Sequence, residues 1–160
     1  MTTPPAAARP RWLVGRPLSP GLRIAAMTLL AVAVAAVGFI VLTPGPPDNA
    51  GQESLRIWLD TLHAEGKLPG FITFGLVEWS SNVLMFVPIG FLLAAGLSPA
   101  RRIWAPATGA VMSTAIELSQ KVWLPSRVSS VGDVLANTLG ALLGMLILVA
   151  GSCWAGRARR

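Results

Sequence analysis

Six polar residues able to do chemistry stand in otherwise apolar sequence: Asn82, Glu117, Gln120, Arg127, Asp133 and Asn137. Two carboxylates could divide acid and base work between them. The Arg127 guanidinium could grip a phosphate or carboxylate through its planar fork, and the three amides could hydrogen-bond neutral groups. Glu117 and Gln120 are three residues apart, and Asp133 and Asn137 four, so each pair shares one face of a helix. An ionisable group in hydrocarbon costs about 2.5–3.5 kcal/mol on insertion scales, so such residues are usually paired or functional.

Metal and nucleophile chemistry find little support. His63 is the only histidine, supports no metal site, and reads as a solvated loop residue. Cys153 is the only cysteine, which excludes an intrachain disulfide; it reads as an inert thiol or a palmitoylation site. Ser126, Ser129 and Ser130 read as turn and N-cap residues rather than nucleophiles. No catalytic residue, metal or cofactor is assigned.

The elements that must carry these residues follow from composition. The chain is 53% hydrophobic and 12% charged, with a mean hydropathy of +0.62, which excludes an ordinary soluble domain. A span needs about 20 apolar residues, and four stretches qualify: about 22–42, 75–97, 103–124 and 131–150. None alternates with period two, so helices are expected rather than a β-barrel. The expected fold is an all-α, four-helix membrane domain over 19–151, with a disordered basic tail at 1–18 and a basic tail at 152–160. The first span follows a basic stretch, as a signal peptide does, but it exceeds the usual h-region of about 7–15 residues, so it is expected to remain.

Nine of the thirteen Lys and Arg residues fall on one side: in the two tails, at Arg23 where the first span begins, and in the turn holding Arg101 and Arg102. By the positive-inside rule both termini are cytoplasmic, and the +6 net charge reflects topology and attraction to anionic lipid headgroups. No basic patch is interleaved with aromatics, so nucleic acid is not an expected partner. The loop from Thr43 to Phe74 is then extracytoplasmic. Within it Leu55, Trp58, Leu59 and Leu62 recur at helical spacing, which predicts a short amphipathic helix on the outer membrane surface or packed over the ends of the spans. Trp79, Trp104, Trp123 and Trp154 fall near span ends, as interfacial belt residues do.

With that topology the polar cluster lies in the outer half of the membrane, and the inner half has no counterpart. A proton wire or ion path would need groups through the whole depth; a pocket open to the outer face would not. Gly132, Ala136, Gly140 and Gly144 repeat every four residues, a small-residue ridge that admits a close neighbouring helix, and Gly140 with Gly144 forms a GxxxG pair for which a homodimer is one use. Pro88 removes a hydrogen bond to the carbonyl of Leu84 and, with Gly90, is expected to kink the second span.

These residues resemble the VanZ-like family of small bacterial membrane proteins. The resemblance is carried by Asn82-x3-Phe86-x-Pro88-x-Gly90, then Glu117-x2-Gln120, then Arg127-x5-Asp133-x3-Asn137-x2-Gly140-x3-Gly144, over about 75–150. It implies a multi-pass protein of the bacterial cytoplasmic membrane. The family is named for an accessory role in resistance to the glycopeptide teicoplanin, so a cell-wall precursor or glycopeptide joins membrane lipids among the expected partners.

Three functional readings follow. The cluster binds a lipid or envelope ligand through Arg127, Gln120 and Asn137, with Glu117 and Asp133 orienting the arginine. Alternatively Glu117 and Asp133 are acid and base of an enzyme acting on a membrane-embedded lipid. In the third reading the polar groups hold helices together. Reporter fusions test the topology common to all three: a cytoplasm-active reporter is expected to work at either terminus, and an export-dependent one only within 43–74. Termini on opposite sides would overturn it.

Overall fold

The computed structural model describes residues 17–42, 50–123 and 131–157. Five α-helices account for most of them: α1 (Pro20–Leu42), α2 (Ala50–Ala64), α3 (Phe74–Gly96), α4 (Ala105–Trp123) and α5 (Val131–Arg157), with a 3-10 turn, Pro99–Trp104, joining α3 to α4. Local chemistry sets several boundaries. Thr73 caps α3, its hydroxyl accepting from the backbone N–H of Leu76 at 3.2 Å. Pro99 opens the 3-10 turn, at a position whose N–H a helix would leave unused. Gly66, at φ 67°, ends α2 in a Schellman motif: Gly66 N–H donates to His63 O and Lys67 N–H to Leu62 O.

The centre of the bundle is the pairing of α3 with α5. These helices run parallel, and they meet through glycines. A Cβ on Gly140 would collide with the carbonyl oxygen of Val83, one on Gly144 with that of Val87, and one on Gly90 with that of Ala141. The GxxxG pair is therefore used inside the chain, against α3. On the other side of α5, α4 presents Ala105, Gly109 and Ser113, a buried stripe at four-residue spacing; a Cβ on Gly109 would lie 2.7 Å from that of Ala141. Helix α1 lies antiparallel to α3; among its described side chains Ala26 and Leu30 are buried, while Leu22, Ile24, Leu29, Val32 and Phe39 are exposed. A bundle with apolar residues turned outward is what a lipid surround requires.

Among the described residues, three helices are long and apolar enough to cross a membrane: Pro20–Phe39, Phe74–Gly96 and Val131–Ala155. The expected third span, 103–124, is represented by the 19-residue α4, which does not meet that standard. The reason is visible in its sequence: Thr108, Ser113, Thr114, Glu117, Ser119, Gln120 and Lys121 dilute its apolar content. Helix α5 also runs past the expected end at residue 150 to Arg157, since nothing in Gly151-Ser152-Cys153 stops a helix that is already formed. Helix α3 continues through Pro88 without interruption.

Helix α2 exists as expected and is longer than its apolar core, but its stripe is divided. Leu59 is buried, Leu55 and Leu62 are half-buried, and Trp58 is exposed. Its docking on α3 includes Arg56 stacked 4.2 Å above the ring of Phe74. His63 is corrected: it is not a loop residue but belongs to the last turn of α2, half-buried, with Nε2 3.3 Å from the carbonyl oxygen of Pro69.

The glycine contacts make a direct prediction. At Gly140 or Gly144 alanine is expected to cost about 1–3 kcal/mol, because the atoms it meets are backbone and cannot turn aside. Gly38→Ala, where nothing lies within 4 Å, is expected to be neutral or to stabilise by up to about 1 kcal/mol through helix propensity. Thermal melting in detergent, followed by circular dichroism, checks both.

Candidate functional site

Three helices contribute to the polar cluster, and α5 is its hub. Asp133 lies in the first turn of α5, where the positive end of the helix dipole favours a carboxylate. Its Oδ1 accepts a hydrogen bond from Asn82 Nδ2 of α3 at 2.6 Å. One turn further along α5, Asn137 Nδ2 donates to Ser113 Oγ of α4 at 2.8 Å. The two bonds tie α3 and α4 to adjacent turns of one helix.

Burial differs across the cluster. Asn82, Asp133 and Glu117 are half-buried. Gln120 is 7% exposed, Asn137 4% and Ser113 fully enclosed. Ser113, Glu117 and Gln120 stand at i, i+4 and i+7, so they form one inward stripe of α4. Asn137 carries an unsatisfied group: its Oδ1 makes no hydrogen bond among the described residues. A buried acceptor in that state costs about 1–3 kcal/mol, so the position is suited to an incoming N–H or O–H donor.

Five of the six sequence-predicted residues thus stand on inward or half-buried faces of α3, α4 and α5; one hydrogen bond joins Asn82 to Asp133, and a second ties Asn137 to Ser113. Arg127 lies outside the described residues, as do Ser126, Ser129 and Ser130. Of the packing set, Gly90, Gly140 and Gly144 make the α3–α5 contact, Gly132 is half-buried on α5, and Pro88 is on the exposed side of α3. Sequence reasoning missed Ser113, because a serine in an apolar helix is usually satisfied by its own backbone. Its spacing of four from Glu117 was the available signal.

A second polar set went unremarked at the opposite end of the bundle. Arg23 of α1 donates from Nε and Nη2 to the carbonyl oxygen of Gly96, at 3.1 and 2.9 Å. Arg102, 2% exposed, donates from Nε to Ala94 O at 3.2 Å. Both arginines thereby satisfy carbonyls of the last turn of α3, which its own helix leaves open. Burial pushes the Arg102 guanidinium below its ordinary pKa; the nearby Cys153 sulfur opposes that shift and Arg23 adds to it. The signal was present in the sequence, but an arginine in a turn between apolar segments is read first as a topology marker.

Two cavities accompany these sites. One, of about 660 Å³, opens beside Arg23 along α1. The other, of about 370 Å³, lies among Arg56, Asp60, His63, Thr73 and Phe74, between α2 and the start of α3.

Comparison with known proteins returns one family. No curated protein and no solved structure matches the chain. The profile of the family described as VanZ/LLP1 matches residues 29–152, which adds much of α1, the 43–49 connection and α2 to the portion in which the motifs were recognised. This multi-helix membrane protein, with its Asn82, Glu117, Asp133 and Asn137 on the facing helices of one bundle, belongs to the VanZ/LLP1 family.

Proposed function

We propose that this protein binds the polar part of a lipid or cell-envelope ligand at the extracytoplasmic end of the bundle, in the bacterial cytoplasmic membrane, without transforming it. The observation that carries the reading is Asn137: a buried amide whose oxygen lacks a donor, one turn below the Asn82–Asp133 bond. In this reading Asn137 and Gln120 meet neutral groups of the ligand, and Arg127 meets its phosphate or carboxylate. Glu117 and Asp133 hold the local charge balance. A contribution to glycopeptide resistance would follow if the ligand were a cell-wall precursor.

The proposal takes α4 as a fourth span, which leaves both termini cytoplasmic. Its composition is less apolar than that of the other three, but its hydroxyls are largely accounted for. Thr108 donates to Trp104 O, Thr114 to Ala110 O and Ser119 to Ala115 O, each within the helix. The outward residues include Val111, Leu118 and Val122. Polar groups that are satisfied locally or turned inward do not prevent a helix from meeting lipid.

The measurement is native mass spectrometry with lipid identification on the detergent-purified chain. A phospholipid, polyprenyl phosphate or peptidoglycan precursor is expected to travel with the wild type. It should be absent from a folded variant carrying Arg127→Ala, Glu117→Gln and Asp133→Asn. Arg127→Lys is expected to lose much of the retention, because a point charge does not replace a bidentate fork. Identical lipids on all three proteins would overturn the reading.

A second reading is favoured by the two interhelical bonds themselves: the cluster as the link between helices. A double-mutant cycle on Asn82→Leu and Asp133→Leu measures it. A coupling of about 0.6 kcal/mol, the average for such bonds in membranes, is what helix linkage alone predicts. Lost stability with ligand retention intact would assign the pair to linkage.

A further inference from the structure

We propose a second lipid site at the other end of the bundle: the groove along α1 holds an anionic phospholipid, its phosphate on Arg23 and one acyl chain running inward along the helix. The groove is a shallow, open one of about 660 Å³, lined by Arg23, Ile24, Met27, Thr28 and Ala31 of α1 and by Gly96 of α3. It is independent of the polar cluster and of the function proposed for that cluster.

The shape is that of a lipid half in and half out of the interface. From Arg23 to Ala31 the lining follows one helical stripe for about 12 Å at 1.5 Å per residue. The charged residue stands at the end where α1 begins, and the remainder is apolar or neutral. Thr28 does not offer its hydroxyl proton to the groove, because it donates to Ile24 O at 3.1 Å. Glycine at 96 leaves room for the Met27 side chain, whose sulfur occupies the place a Cβ there would take.

Charge identifies the headgroup. Arg23 is exposed, and its Nε and one Nη2 proton are fixed on the Gly96 carbonyl. Of the five N–H groups a guanidinium carries, about three are then left for an anion, held in place by that anchor. Arg101 and Arg102 belong to the same end. All seven Asp and Glu residues, namely Asp48, Glu53, Asp60, Glu65, Glu78, Glu117 and Asp133, fall in sequence on the segments of the opposite end. Among the described residues no carboxylate side chain therefore competes with a phosphate for Arg23. The amino-terminal segment of this chain is a poor occupant, because it brings Arg9, Arg11 and Arg16 towards a cationic end. A second copy docked head to head would bring another set of arginines.

The test is native mass spectrometry of the full chain released from micelles doped with equal phosphatidylglycerol and phosphatidylcholine of the same acyl composition. The wild type is expected to retain phosphatidylglycerol over phosphatidylcholine by about tenfold, the ratio one charge-assisted contact supplies. Arg23→Gln should bring the ratio near one, and Lys67→Gln, on the opposite end, should leave it unchanged. Ala31→Phe keeps every charge and fills the exposed groove, so it should lose the phosphatidylglycerol adduct while melting like the wild type. That variant decides the matter even if Arg23→Gln fails to fold for want of its bond to Gly96. A wild-type ratio near one, a full preference in Arg23→Gln, or an undiminished adduct in Ala31→Phe would overturn the proposal.

Discussion

The constraint on which the rest of this molecule depends is the approach of the α3 and α5 backbones. In lipid, apolar surface gains little by turning from solvent to a neighbouring helix, so association must come from close van der Waals contact and interhelical polar bonds. Gly140 and Gly144 put no side chain between α5 and the carbonyls of Val83 and Val87, and Gly90 returns the same approach towards Ala141. Parallel helices joined by GxxxG are familiar from dimers of separate chains. Here α4 is the connection that returns the chain to the starting end, so the same geometry forms within one chain.

That approach also fixes what the polar residues can reach. Asn82 precedes Val83, and Asp133 lies two turns before Gly140, so the short Asn82–Asp133 bond and the Val83–Gly140 contact share one register. A slip of one residue would rotate α5 by about 100° and carry Asp133 off the α3 face altogether. On the far side, Asn137–Ser113 and Ala141–Gly109 set α4 antiparallel to α5 in the same way. Small residues give the distance between helices, and the amides select the rotation.

Much of this was legible in the sequence because α1, α3 and α5 are long and apolar. Expected spans of 22–42 and 75–97 became Pro20–Leu42 and Phe74–Gly96, within two residues at every end. The four-residue small-residue ridge was legible too, although not which partner it would meet. Helix α4 was harder for a physical reason. A helix whose inward face carries Ser113, Glu117 and Gln120 loses average hydropathy without losing its ability to pack, and averages take no account of direction. Trp58 misled in the opposite sense: its spacing with Leu55, Leu59 and Leu62 is that of a buried stripe, yet only Leu59 of the four is fully covered. Helical spacing defines a face, and the neighbouring helices decide how much of that face is covered.

The arginines of the α3–α4 turn carry the last step. A positive-inside count treats Arg23, Arg101 and Arg102 as equivalent charges, but the fold uses them differently. Arg101 is exposed, Arg102 is almost wholly enclosed against Ala94 O, and Arg23 reaches across from α1 to Gly96 O. A helix that ends where water thins out still has carbonyls to satisfy, and guanidinium is well suited to the task because it keeps its charge while its donors are engaged. Arg23 and Arg102, which a positive-inside count reads only for orientation, are then also caps that end α3. Arg23 joins α1 to that helix end where glycine at 96 leaves room for the Met27 side chain. Orientation, helix termination and the docking of α1 thus converge on the same few residues, and an arginine-to-lysine exchange there would keep the first while weakening the other two.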